Sequence, residues 1–289
     1  MDQSTTKEFS WTLAVSVHHD RAVMEKNIGA SPGMRDADEV MIQSGFATVS
    51  AAYNDAIERS RNDLVVFAHP DVYLPASWHA SLRESVAGLD RLDPSWAVFG
   101  LFGRTGAGAN AGFTYSTGLG CFVGRPFETP EKARTVDEFV FAVRKSSGLR
   151  FDEALPGAQS QLCATDLCLE AERRGLGVYV IPSFAVHNSN GWSYLPLNFW
   201  KPYLFIRRKW RRALPVNVPY ARITPFCLPM IRNTLRSWNP LRRRSMRTNS
   251  RVDDIAPFAE RLRRATIRAM QDPVDRERRA DPPEARNEA

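Results

Sequence analysis

The sequence predicts an α/β protein with a mostly parallel sheet and helices on both of its faces. Short apolar runs such as Leu64-Val65-Val66-Phe67-Ala68 suit strands covered on both sides. Other stretches repeat with a helical period: Val49, Ala52, Tyr53, Ala56 and Ile57 recur at i, i+3, i+4, i+7 and i+8. Strand and helix patterns also alternate. That order implies parallel pairing, with a ligand site at the carboxyl ends of the strands.

In chain order, Thr12 to Val17 reads as a buried first strand that ends in the polar group His18, His19 and Asp20. The helix at Val49 to Ile57 follows, with Thr48 as its N-cap. Next come the strand Leu64 to Ala68, a helix beginning near Pro75 with a Trp78, Leu82 and Val86 stripe, and a strand at Ala97 to Leu101. The glycine-rich stretch Gly103 to Gly112 fits neither GxGxxG nor a P-loop and reads as a flap. Val136 to Val143 reads as one strand whose end carries Arg144 and Lys145. A helix from Asp166 to Arg174 is stopped by Gly175, and a strand from Gly177 to Ile181 is stopped by Pro182.

At 289 residues the chain can build one sizeable core and an appendage, or two small domains. Its net charge of +7 is unevenly placed, because residues 200–289 carry 22 Lys/Arg against 9 Asp/Glu. An acidic body and a basic extension are therefore expected. The composition change divides the chain into a catalytic domain over 1–198, a basic aromatic-rich and partly helical extension over 199–271, and a disordered tail over 272–289. A basic segment containing Phe199, Trp200, Tyr203, Phe205 and Trp210 suits an anionic membrane surface, and the same aromatics can instead pack back onto the domain. No recognised nucleic-acid motif is present, so no specific nucleic-acid partner is expected. The four cysteines lack zinc-ligand spacing, no apolar run is long enough to span a bilayer, and the N-terminus does not read as a signal peptide. The expected location is cytoplasmic, with peripheral attachment to the inner face of the membrane as an option.

Three signals carry chemistry. In Leu64 to Pro75, LVVFAHPDVYLP, a strand ends in His69 and Asp71, two positions apart and so on one side of an extended segment. A carboxylate there can hold a divalent cation together with substrate phosphates, or can cap a turn. Asp166 opens a helix, where an acid serves as a general base or simply complements the helix dipole. His187 follows a strand and can be a metal ligand or an ordinary hydrogen-bonded surface residue.

Taken in order, SAAYNDAI, HPDVYLP followed by Trp78, Phe151-Asp152-Glu153, TDLCLEAERRGLGVYVIP and His187 resemble family 2 of the glycosyltransferases, in its bacterial glycosyltransferase-like branch. The resemblance runs from about Thr12 to Ser189. It implies a GT-A, Rossmann-like fold, a nucleoside-diphosphate-sugar donor and a divalent cation, Mn²⁺ or Mg²⁺. The acceptor it implies is a glycan or lipid-linked hydroxyl, in envelope or surface glycan synthesis. It also assigns residues: Asp71 and His187 to the metal, Asp166 to the catalytic base of an inverting displacement, and His69 to the donor ribose. His18, Asp20, Tyr53 and Asn54 fall on the donor-binding edge. The chain departs from the family in having His69 in place of an acid and Thr165 in place of the usual Glu. A catalytically inactive binding module and a sugar nucleotidyltransferase are the alternatives; the latter normally carries a glycine-rich basic N-terminal loop, and His18 to Ile28 shows none.

Overall fold

The computed structural model describes residues 9–17, 21–157, 161–190, 197–238 and 250–271. Its first half contains β1 (Trp11–Ser16), α1 (Arg21–Lys26), α2 (Pro32–Arg35), β2 (Glu39–Gln43), α3 (Val49–Arg59), β3 (Leu64–Ala68), β4 (Val72–Tyr73), α4 (Trp78–Leu92) and β5 (Trp96–Gly100). There follow β6 (Phe102–Arg104), β7 (Asn110–Ser116), β8 (Cys121–Gly124), β9 (Glu131–Lys132), β10 (Thr135–Val136) and β11 (Val140–Arg144). The remainder holds α5 (Cys163–Arg173), β12 (Gly177–Val180), β13 (Val186–His187), α6 (Trp200–Lys209), β14 (Val216–Val218), β15 (Ala221–Ile223), α7 (Leu228–Trp238) and α8 (Ile255–Gln271). His18 and Asp20 lie outside the described residues, as does the tail over 272–289.

The main sheet has the order β2-β1-β3-β11-β5-β12-β9. Its strands β2, β1 and β3 are parallel, as are β5 and β12, but β11 runs antiparallel to both β3 and β5, and β9 antiparallel to β12. Five of the seven strands thus run one way, so the sheet is mostly parallel with β11 and β9 reversed. A second sheet, β10-β6-β7-β13-β4, lies beyond the strand ends, with β8 paired to β7.

The alternation of side chains along β3 explains why both faces of the sheet are covered. Val65 and Phe67 join one core with Tyr53, Ala56 and Ile57 of α3 and Leu167 and Cys168 of α5. Leu64, Val66 and Ala68 join another with Trp78, Leu82, Val86 and Leu89 of α4. Helix α3 starts where the sequence indicates, since the Thr48 hydroxyl accepts from Ala51 N at 3.1 Å. Helix α5 starts three residues earlier than expected and ends as Gly175 adopts φ +73°, with Leu176 N donating to Ala171 O at 2.9 Å.

Two details differ from the sequence expectation. Gly103 to Gly112 forms the β6–β7 hairpin, and Gly112 is needed at φ +98° because a Cβ there would lie 2.1 Å from the Leu101 carbonyl oxygen. The expected strand Val136 to Val143 is two strands in two sheets. β10 pairs with β6 and β11 with β3, and residues 137–139 cross between them.

The basic aromatic stretch packs inward. Phe199, Tyr203, Ile206 and Trp210 are buried in the same core as α3 and α5, along with Val216, Val218 and Ile223. Helix α6 is also tied to α5 by polar contacts: Trp210 Nε1 donates to Asp166 Oδ1 at 2.6 Å, and Lys209 Nζ donates to Asp166 Oδ2 at 2.8 Å and to Asp152 Oδ2 at 2.7 Å. Among the described residues no helix is long and apolar enough to cross a membrane. Removing the lysine would leave a buried carboxylate short of its counter-charge, so Lys209→Met should cost about 3 kcal/mol in urea unfolding, while Lys201→Met on the exposed side of α6 should change stability little.

Candidate metal and donor site

The buried strand β3 fixes the site, because its last residue, Ala68, is paired to Val140 of β11. His69 N then donates to Phe139 O at 2.9 Å, and Val72 N closes a turn onto His69 O at 3.2 Å, which presents Asp71 at the strand end. Strand β13 pairs with β4 so that His187 stands opposite Val72. One ligand atom from each of His69, Asp71 and His187 can be chosen so that all three lie within 4.8 Å of one another. Nothing in the local sequence joins them; the second sheet does.

The cluster is tightly supported. His187 Nε2 lies 3.3 Å from Asp71 Oδ1, and Arg251 Nη2 donates to Asp71 Oδ2 at 3.1 Å. The Phe139 ring stacks on His187 with centroids 5.3 Å apart, and the His69 ring meets His187 edge-on at 5.6 Å. Burial opposes ionisation of Asp71, but His187, His69 and Arg251 outweigh it and hold its carboxyl well below the usual carboxylate range. Burial pushes His69 down to about 4 against the pull of Asp71. Burial also disfavours a charged His187, yet the Asp71 and Asp137 carboxylates overcome it and raise its pKa.

Two imidazoles and a carboxylate form a donor set that fits a divalent metal. Imidazole nitrogen suits Mn²⁺ and later transition ions better than Mg²⁺, which prefers oxygen. One potential ligand atom of each ring and a carboxylate oxygen lie close together, so once His187 is deprotonated the residues present suit the cation that the sequence motif implies.

The other sequence-selected residues lie elsewhere. Tyr53 is 1% exposed and packs among Phe67, Phe141 and Phe151 at centroid distances of 4.3, 5.9 and 5.3 Å. Asn54 pins the 151–153 loop, accepting from Phe151 N at 2.8 Å and donating to Phe151 O at 3.0 Å and Glu153 Oε1 at 2.9 Å. Asp166 is 3% exposed in the first turn of α5, with both carboxylate oxygens engaged by Trp210 and Lys209. Burial raises its pKa despite those two donors. Arg144 is a structural strand end, its guanidinium 3.9 Å from the centroid of the Trp96 ring.

No protein-family model and no curated protein sequence matches this chain. Among solved structures, residues 1–349 of TarS from S. aureus are similar at 12% identity and a TM-score of 0.44, over 70% of this chain and 65% of that one. TarS in complex with UDP-GlcNAc gives 10% identity and 0.42, over 69% and 65%. GalNAc-T7 with UDP, GalNAc and Mn²⁺ gives 12% and 0.47, over 71% and 51%. The chain thus spans a little under two thirds of TarS 1–349 and about half of GalNAc-T7.

Three residues escaped the sequence reading. Asp137 faces His187, and Glu138 is buried on the other side, where Tyr220 Oη donates to its Oε2 at 3.0 Å. Burial and the neighbouring Asp137 push the Glu138 carboxyl up. The acidic pair Asp137-Glu138 inside an apolar stretch was the available signal. Arg251 gave none.

A protonated imidazole has no lone pair for a metal, so the raised pKa of His187 sets a sign. Mn²⁺ affinity should climb as pH rises through and above the ordinary histidine range, with about one proton released per ion. His69, already neutral in that range, should add no slope. Calorimetric titration in buffers of different ionisation enthalpy measures this, and His187→Gln should flatten the dependence.

Proposed function

We propose that the protein is a divalent-cation-dependent glycosyltransferase that takes a sugar from a nucleoside-diphosphate donor and passes it to an acceptor hydroxyl. The observation that carries this reading is the His69–Asp71–His187 cluster at the carboxyl end of β3, where an α/β sheet places its ligand site. The sequence motif that carries it, HPDVYLP, and the separate TDLCL motif of α5 fit the same function. Asp71 and His187, with His69 beside them, would hold the cation, whose charge stabilises a leaving diphosphate. The chain's own residues do the rest. Asp71 stays ionised throughout the physiological range, the Phe139 ring fixes the plane of His187, and the His69 backbone is anchored on β11.

Asp166 is the proposed proton acceptor of an inverting displacement, and its raised pKa suits that task. To take a proton it must release Lys209 or Trp210, so acceptor binding and that release belong to one event. Asp71→Asn should abolish Mn²⁺-dependent binding of nucleoside diphosphate without unfolding the chain. Asp166→Asn should leave that binding intact and lower turnover by about 10²-fold or more. If Glu138→Gln shows the turnover loss and Asp166→Asn does not, the proton acceptor is Glu138. Sugar and nucleotide are found by screening nucleotide sugars in the presence of Mn²⁺.

For the acceptor we propose a lipid-linked hydroxyl of envelope glycan synthesis, met at an anionic membrane surface from the cytoplasmic face. Residues 199–250 contain 13 Lys/Arg and no acid. The buried aromatics of α6 do not form this surface. It is formed by Leu228, Ile231 and Leu235 along one side of α7, with Phe226 and Leu204, all exposed. Beside them Arg207, Arg208 and Arg211 line a 590 Å³ cleft. The full-length protein should co-sediment with anionic vesicles at low salt and be released at high salt, and Leu228→Glu with Leu235→Glu should lose binding. No binding by the wild type at low salt would discard this attachment. Truncation before α6 is an unsuitable control, since it strips Lys209 and Trp210 from Asp166.

A further inference from the structure

Arg251 lies 180 residues beyond Asp71 in the chain, yet its guanidinium reaches that carboxylate. Its backbone is fixed independently of that contact. Arg251 N donates to Asn190 Oδ1 at 3.3 Å, and Val252 N donates to Asn188 Oδ1 at 2.8 Å. Asn188, 2% exposed, returns a bond from Nδ2 to Val252 O at 2.8 Å and another to Asn27 Oδ1 at 2.7 Å. Just beyond, Ile255 and Ala259 of α8 are buried against Tyr73 and Val186. The strap is therefore anchored at the arginine's own backbone and just after it, while the side chain reaches the cluster. Its Nε donates to Asn188 O at 3.0 Å and its Nη2 to Asp71 Oδ2 at 3.1 Å.

Both oxygens of Asp71 consequently have partners, His187 at Oδ1 and Arg251 at Oδ2. Each oxygen keeps a further lone pair, but a cation bound there would lie beside both donors. The imidazole can adapt, since its ring nitrogen can turn from donor to ligand. A guanidinium keeps its charge and has no lone pair to offer, so repulsion by the cation drives it off Asp71. It does not go far, because its backbone stays clasped to Asn188. A guanidinium beside a newly bound cation is repelled unless anionic oxygens come between them, and its planar fork matches phosphate oxygens.

We propose that Arg251 exchanges Asp71 for the donor's diphosphate. It holds the carboxylate until a divalent cation arrives, yields Oδ2 to that cation, and then positions the diphosphate that enters with it. This rests on the metal-dependent, nucleotide-sugar reading above and adds an energetic link between the two ligands. Cation alone binds against a competitor, whereas cation with diphosphate satisfies every charge. Each ligand must then raise the affinity for the other by the same factor.

The test titrates the full-length chain with Mn²⁺ alone, and with UDP at saturating Mn²⁺, for wild type, Arg251→Met, Arg251→Lys and Asp71→Asn. Arg251→Met should bind Mn²⁺ alone about tenfold more tightly and UDP about tenfold more weakly than wild type. Near-ultraviolet circular dichroism checks the fold of each variant. Arg251→Lys keeps the charge but shortens the reach and loses the fork, so it should shift both affinities in the same directions and serves as the readout if the methionine variant does not fold. Unchanged Mn²⁺ affinity in a folded Arg251 variant overturns the exchange and leaves Arg251 a structural clasp. Tighter Mn²⁺ with unchanged UDP affinity overturns the diphosphate role. A wild type that binds no Mn²⁺, or binds it equally well as Asp71→Asn, brings down the metal reading and the exchange with it.

Discussion

The ionised carboxylate of Asp71 is the constraint around which the site is arranged. A partly buried charge must be compensated, and here the compensation comes from the second sheet through His187 and from the C-terminal strap through Arg251. Each compensating group needs its own support. His187 is stacked on Phe139, whose carbonyl also receives His69 N, and the strap is clasped by Asn188 and Asn27. One charge thus connects β3, β11, β13 and the segment before α8.

That arrangement depends on the rigidity of β3. All five of its residues are buried, with alternate side chains committed to opposite cores, so the strand cannot slip by one residue without exposing both sets. The aromatic group Tyr53, Phe67, Phe141 and Phe151 supports one face close to the strand end. Rings packed at these distances are costly to displace, which keeps the strand end in place. Tyr53 and Asn54 therefore serve the site from a distance, one by packing and one by holding the 151–153 loop.

The second charged centre follows a different rule. Asp166 sits under α6 with a lysine and an indole on its oxygens, and the same lysine also holds Asp152. This basic segment differs from the rest of the chain in composition because one of its sides faces outward with arginines and leucines. Its inner side supplies Phe199, Tyr203, Ile206 and Trp210 to the common core. Composition reports the solvent side as strongly as the buried one, so a change in composition does not by itself mark where packing ends.

The sequence alone determined what depends on local periodicity and local chemistry: the buried strand at Leu64 to Ala68, the amphipathic helices carrying Tyr53 and Trp78, the Thr48 cap, the Gly175 stop, and the polar residues His69 and Asp71 at a strand end. Strand direction was not legible, because an apolar run looks the same whichever way it lies in a sheet, and β11 lies antiparallel. The break at 137–139 was hidden too. Val136 and Val140 are apolar for different sheets, and only the crossing between those sheets brings Asp137 toward His187 and turns Glu138 away. That His187 would join Asp71 was available only through the family resemblance, and tertiary structure alone decided that Arg251 would meet it, since contacts between residues so far apart in the chain are set by the packing of whole elements and leave no local pattern in the residues that make them.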